Sequence, residues 1–136
     1  MRILAIDYGI KNTGFAIGES GSTITLPYLK TSNVQTLIQN ILSIIREEKI
    51  EKIILGIPEF KYNKQENIVF EFKKVLEKNT NIPIETINEY GTSKEVFDEE
   101  FKKFSNIKKI KRGIHSRSAE KILERYFLQT NEQRNL

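Results

Sequence analysis

Three residues able to hold a divalent cation stand at the ends of segments that read as regular structure. Asp7 closes the apolar run Ile3–Ile6 and precedes Tyr8-Gly9. Glu89 follows the strand-like run Pro83–Ile87 and comes just before Gly91. His115 stands ahead of an amphipathic run that starts near Ser116. A carboxylate at a strand end, in a turn that glycine makes permissive, lies at the edge where α/β proteins commonly bind ligands. The three can converge only if their elements end on one edge of one sheet. Hard oxygen ligands with open coordination positions suit Mg²⁺ or Mn²⁺ better than zinc. Each residue also has an ordinary structural reading: Asp forms turns, Glu after a strand is often on the surface, and a lone His is seldom a ligand. Spacing alone leaves both readings open.

Asp7-Tyr-Gly-Ile-Lys-Asn-Thr-Gly14 has two glycines that permit a tight hairpin. Lys11 falls at its tip, where it can meet a phosphate, although the same pattern serves a simple glycine hairpin. The charge distribution is more directional. The 136 residues carry 22 Lys+Arg and 18 Asp+Glu, a net of +4. Seven of the bases (Lys102, Lys103, Lys108, Lys109, Lys111, Arg112 and Arg117) lie between Phe101 and Ala119, where there is no acid. The remainder holds 15 basic against 18 acidic residues, so the whole excess sits in one segment. That asymmetry points to a polyanion, with nucleic acid preferred over a merely solvated loop. No aromatic residue lies between Ser105 and Ala119, so phosphate contact is expected there rather than base stacking.

Composition narrows the alternatives. Cys is absent, which removes disulfides, thiolate zinc sites and a cysteine nucleophile. A single His rules out any site needing two from one chain. No apolar run approaches the roughly 18 residues of a membrane span, and no secretory signal is evident, so a cytoplasmic protein with no membrane partner is expected.

The elements that must position these residues follow from periodicity. Ile3–Ile6, Thr13–Gly18 and Thr23–Leu29 read as an antiparallel meander, with Pro27 placing the third strand at an edge. Ser32-Asn-Val-Gln35 has capping-box spacing and opens a helix from about Asn33 to Glu48, with Val34, Leu37, Ile38, Ile41, Leu42 and Ile45 at helical spacing. Lys52–Ile57 reads as a strand buried on both faces. A second helix spans about Gln65 to Lys78, and Pro83–Ile87 forms a fifth strand. Thr92-Ser-Lys-Glu95 opens a further helix to about Phe104, followed by a basic loop, Ser105–Gly113. A last helix runs from about Ser116 to Leu128, burying Ala119, Ile122, Leu123, Tyr126 and Phe127. This order implies an α/β fold: a five-stranded mixed sheet, three meander strands plus two more, flanked by helices. One domain over 1–129 with a polar C-terminal tail, 130–136, is expected.

Four stretches in this chain resemble the YqgF (RuvX) family, whose members are described as pre-16S rRNA nucleases or Holliday-junction-resolvase-like proteins. They are Arg2-Ile-Leu-Ala-Ile-Asp7-Tyr-Gly-Ile-Lys11-Asn-Thr-Gly14, Lys52-Ile-Ile-Leu-Gly56-Ile-Pro58, Asn88-Glu89-Tyr-Gly-Thr92-Ser93 and His115-Ser-Arg-Ser-Ala119-Glu-Lys-Ile-Leu-Glu-Arg-Tyr126. They resemble, in family order, its opening Asp-containing strand, its "vvGlP" strand, its "DERlTSxeA" segment and its "DsxAAxxILexYl" helix. The resemblance implies an RNase H-like fold and a nuclease using Mg²⁺ or Mn²⁺. It assigns catalysis and metal binding to Asp7, Glu89 and His115, and implies structured nucleic acid, pre-rRNA or branched DNA, as partner for a monomer or homodimer. Lys11, Lys108, Lys109, Lys111, Arg112 and Arg117 are the expected nucleic-acid contacts. Three departures stand out. His115 occupies the place of the family's third carboxylate, with Glu120 on the same helix as an alternative donor. The segment after Pro58 lacks the family's glycine, and Asn88 and Tyr90 replace the Asp and Arg beside Glu89. These leave three rivals to a pre-rRNA nuclease: a Holliday junction resolvase, a binding module with weakened catalysis, and a phosphate-binding domain of the actin or sugar-kinase type. The last needs two such domains around a nucleotide cleft, and this chain supplies one.

Overall fold

Hydrophobic alternation in the first 30 residues is resolved into three antiparallel strands. The computed structural model describes residues 1–57, 64–88 and 118–130. Strands β1 (Ile3–Asp7), β2 (Asn12–Glu19) and β3 (Ser22–Lys30) form the meander. Ser20 (φ 52) and Gly21 (φ 85) make the two-residue turn between β2 and β3, the backbone geometry that matches the twist of a tight hairpin. Helix α1 (Val34–Glu48) leads to β4 (Lys52–Ile57), and α2 (Lys64–Asn79) leads to β5 (Ile84–Asn88). The sheet order is β3-β2-β1-β4-β5, with β4 parallel to both β1 and β5. Pro27 lies on the outer strand β3, as its missing N–H requires. The last described helical residues, 118–130, form α3.

Strand periodicity divides the core into two layers. Leu4 and Ile6 of β1, Phe15 and Ile17 of β2, and Ile53 and Leu55 of β4 pack on Leu37, Ile38, Ile41, Val69, Phe72 and Leu76 of α1 and α2. Ile3, Ala5, Ala16, Ile54 and Ile87 face the other way, onto Ala119, Ile122 and Leu123 of α3. Both faces of β1 and β4 are therefore dry, which accounts for their nearly continuous apolar sequence. Small side chains let α3 lie close: a Cβ on Gly18 would come within 2.9 Å of the Phe127 ring.

Several boundaries differ from the sequence expectation. The N-cap of α1 is Asn33, not Ser32: its side chain accepts the Thr36 N–H at 3.0 Å. An extended backbone at Asn33 (φ −90, ψ 112) suits it to the role. Val34, expected on the buried face, is 36% exposed because it occupies the first turn, beyond the sheet. Tyr126 and Phe127 are only partly buried. The last helix continues through Thr130, whose hydroxyl donates to the Tyr126 carbonyl, so the expected tail start at 130 is still helical. The expected helix over 92–104 and the basic loop over 105–113 lie outside the described residues.

The β1–β2 turn depends on Gly9, where a Cβ would lie 2.3 Å from the Asn12 carbonyl oxygen, a backbone atom unable to yield. Gly9→Ala is expected to lower the unfolding free energy by about 2 kcal/mol in urea denaturation. A loss below about 0.5 kcal/mol would show that the turn relaxes freely.

Candidate active site

Asp7 is the last residue of β1 and shares the α3 face with Ala5 and Ile3, two and four positions earlier. Its antiparallel neighbour is Gly14. On its other side Ile6 pairs with Leu55, so the next residue of β4 is Gly56, on the face that Ile54 shares with α3. The half-buried carboxylate is thus flanked on both adjacent strands by residues with no side chain. The sheet itself places no side chain beside it on that face.

Strands β1, β4 and β5 are parallel, so Asp7, Ile57 and Asn88 end on one edge. Neighbouring strands are about 4.8 Å apart, which puts the ends of β1 and β5 roughly 10 Å from each other. Asn88 is the residue immediately before Glu89, and Ile87 faces α3 as Asp7 does. Glu89 and His115 themselves lie outside the described residues, as do Lys108, Lys109, Lys111, Arg112 and Arg117. Glu120 is half-buried on α3. Among the described residues no group of three or more His, Cys, Asp or Glu side chains converges.

The direction of α3 is fixed at its far end. Lys52 Nζ at the start of β4 donates to the Tyr126 hydroxyl at 2.7 Å and meets Glu85 Oε1 at 2.6 Å. Burial alone would lower the Lys52 ammonium. The hydrogen bonds to Glu85 and Tyr126 outweigh it and hold the group above the usual lysine value. From Tyr126 back to Ser118 the helix rises about 12 Å, while β4 advances about 13 Å from Lys52 to Gly56. The first described residues of α3 pack on this same face of the sheet. Ser118 is fully buried, and among the described residues its Oγ has no hydrogen-bond partner.

Lys11 is exposed at the end of the β1–β2 turn, on the Asp7 edge. Its carbonyl accepts the Thr31 N–H at 2.8 Å, and the β2–β3 register places Lys30 opposite Asn12. Lys30 is thereby a second exposed cation on this edge that sequence reasoning missed. Its distance in sequence from Asp7 hides it, and only the hairpin register reveals it. Neither lysine forms an ion pair among the described residues.

Comparison with known proteins adds independent findings. A family model described as RuvX, Holliday junction resolvase, matches residues 1–129. A protein of Mycoplasma mobile named "Putative pre-16S rRNA nuclease" is 39% identical over 100 residues, covering 68% of this chain and 69% of its own. One of the same name from Malacoplasma penetrans is 36% identical over 134 residues, covering 92% of each. Among solved structures, the fowlpox virus Holliday junction resolvase superposes with a TM-score of 0.54 at 17% identity, covering 96% of this chain and 99% of that one. Thermus thermophilus RuvC in complex with a Holliday junction gives 0.52 at 16% identity, covering 71% and 68%. These likenesses establish the RNase H-like fold. No helix of the described residues is long and apolar enough to cross a membrane.

The Lys52–Tyr126 bond gives a measurable pH signature. Tyr126→Phe is expected to cost about 1 kcal/mol of stability near neutral pH. Because the folded-state Lys52 value is raised, the unfolded chain loses its proton first as pH climbs, and the contribution declines above about pH 10.5. Urea unfolding of wild type and variant should differ by a constant amount from pH 6 to 9 and converge only as the pH rises beyond about 10.5. A difference that instead grows in alkali contradicts the assignment.

Proposed function

The chain belongs to the RuvX family, and from that premise we propose that it is a divalent-metal-dependent nuclease hydrolysing phosphodiester bonds of structured nucleic acid, in processing of the pre-16S rRNA 5′ end. The observation that carries this reading is the placement of Asp7: last on β1, flanked by Gly14 and Gly56, on the edge shared with the ends of β4 and β5 and on the sheet face that packs against α3.

The donor chemistry fits a hard cation. A half-buried carboxylate between two glycines is a hard oxygen donor of the kind that binds such a cation. Asp7, Glu89 and His115 are the residues that would hold Mg²⁺ or Mn²⁺, and the imidazole nitrogen of His115 is compatible with Mn²⁺. When bound, the ion supplies Lewis acidity toward water and toward the charge that develops on the phosphate oxygens. The chain's own cations do the rest. Lys11 at the turn and Lys108, Lys109, Lys111, Arg112 and Arg117 in the basic segment bind the backbone and hold the scissile phosphate over Asp7. They carry no sequence information, so selection rests on the shape of the folded nucleic acid.

With about six phosphate contacts, affinity should fall by about a thousandfold between 50 and 200 mM salt. The decisive variant is Asp7→Asn, which keeps size and shape but removes the charge and one acceptor oxygen. Cleavage of a pre-16S rRNA 5′ fragment with Mg²⁺ or Mn²⁺ is expected to drop at least about a hundredfold, with circular dichroism unchanged. Equal turnover by the two proteins sinks the assignment.

The family description favours a second reading, a Holliday junction resolvase acting on branched DNA. Symmetric cleavage of a junction needs two active sites, so a stable dimer that cuts four-way DNA faster than the rRNA fragment selects it. A binding module with weakened catalysis is separated from both by His115→Asp: turnover that appears only in that variant shows a disabled native site.

A further inference from the structure

β3 is the outer strand of the sheet, and among the described residues no strand pairs with its free side. The two-residue turn at Ser20-Gly21 decides which of its main-chain groups point outward. In such a hairpin the flanking pair, Glu19 and Ser22, exchanges hydrogen bonds, and the exchange recurs at every second pair. Ser22, Ile24 and Leu26 therefore bond to β2, while the N–H and C=O of Thr23 and Thr25 face away from the sheet. The register shift between Thr13 and Phe15 falls opposite Pro27-Tyr28, and Pro27 has no N–H to offer there. The open edge is thus short and defined: four main-chain groups on two residues.

Its side chains are equally particular. No charged residue lies between Ser22 and Leu29. Soluble proteins commonly protect an open edge with charged side chains, yet the centre of this one is Ile24, which is 60% exposed. Ile24 pairs with Ile17, so it stands on the α1–α2 side of the sheet. With Arg2, Ile17, Glu19, Ser20 and Ser22 it walls an open hollow of about 290 Å³. Thr23 and Thr25 stand on the other face, opposite Gly18 and Ala16.

We propose that β3 pairs with β3 of a second copy of this chain, antiparallel about a two-fold axis through Ile24. This register uses all four outward groups: Thr23 exchanges hydrogen bonds with the partner's Thr25, and Thr25 with the partner's Thr23. An axis at Thr25 would set Thr23 against Pro27, which lacks the donor, and an axis at Thr23 would set Thr25 against Gly21 inside the turn. With the axis at Ile24, the two Ile24 residues form a close, non-hydrogen-bonded pair with Cα atoms about 4.5 Å apart. The partner's Leu26 then stands opposite Ser22, at the mouth of the hollow. The neutral stretch brings no like charges together, and the same three residues satisfy both sides, which a foreign strand would have to match separately. The axis is perpendicular to the sheet, so both α3 faces lie on one side, with the two β1 strands roughly 24 Å apart. The pairing stands without the nuclease reading; its consequence, two Asp7 edges presented to one nucleic acid, rests on that reading.

The chain contains no cysteine, so a single introduced thiol reports the contact. Ile24→Cys should form a disulfide-linked dimer under mild oxidation, because a pair about 4.5 Å apart is within disulfide reach. Leu128→Cys, at a similarly exposed position on α3, should not. Sedimentation velocity of the unmodified protein from about 5 to about 500 µM should show a monomer–dimer equilibrium, the weak association that a short strand pairing supports. Hydrogen exchange at the Thr23 and Thr25 amides should slow as the dimer forms. Ile24→Lys, which sets two like charges on the axis, should weaken dimerisation at least about tenfold. A protein that stays monomeric at every concentration overturns the proposal and leaves the edge to a foreign strand. So does a dimer that Ile24→Lys does not weaken, equal cross-linking through Leu128→Cys, or growth beyond the dimer. None of these measurements involves cleavage, so their failure leaves the nuclease reading to its own assay.

Discussion

The parallel pairing of β1 with β4, Ile3 opposite Lys52 through Ile6 opposite Leu55, is the constraint on which the active edge depends. It aligns the ends of two strands from distant parts of the sequence and, through β4, brings β5 to the same edge. It also sets which side chains share a face. A slip of one residue would exchange the two faces, burying Asp7 under α1 and α2 and turning Leu4 and Ile6 toward α3. Register is therefore specified by apolar burial in both layers at once. The same burial that stabilises the sheet selects the face on which the carboxylate appears.

Placement of α3 is the second determinant, and it relies on small residues and one polar contact. Ala5, Ala16 and Gly18 keep the sheet surface low under Ala119, Ile122, Leu123 and Phe127. The Lys52 ammonium then joins Tyr126 to Glu85 at the far edge. Glu85 is half exposed, so that ion pair contributes at most about 1 kcal/mol. Its effect is geometric: it fixes how far along the sheet the helix lies. Among the described residues Ser118 is the polar exception in this layer, buried with no hydrogen-bond partner for its hydroxyl.

Much of the fold was legible because its signals are local. Ile3–Ile6 and Lys52–Ile57 read as buried strands from continuous apolar sequence, and Pro27 assigned the edge strand by its missing donor. What sequence could not supply is register. Gly14 and Gly56 look like turn and strand glycines in one dimension; only pairing shows that both flank Asp7 on one face. Lys30 and Lys11 lie 19 positions apart and meet through the β2–β3 hairpin and the Thr31–Lys11 bond. Tyr8 was legible as part of a motif, whereas its stack on Phe72 depends on the packing of α2. The cap of α1 was misread by one residue because Ser32 and Asn33 are both good caps, and backbone direction decides between them. The charge asymmetry marks the basic segment over 102–117 from composition alone, without geometry.

The central claim is that the edge carrying Asp7 holds a divalent cation for phosphodiester chemistry. Its most direct test is a crystal structure of the protein soaked in Mn²⁺, with the anomalous signal used to locate the ion. The account predicts an anomalous peak about 2.1 to 2.3 Å from an Asp7 carboxylate oxygen, with Glu89 and His115 completing the protein ligands. Mn²⁺ bound only elsewhere, or no peak beside Asp7 at saturating concentration, contradicts it.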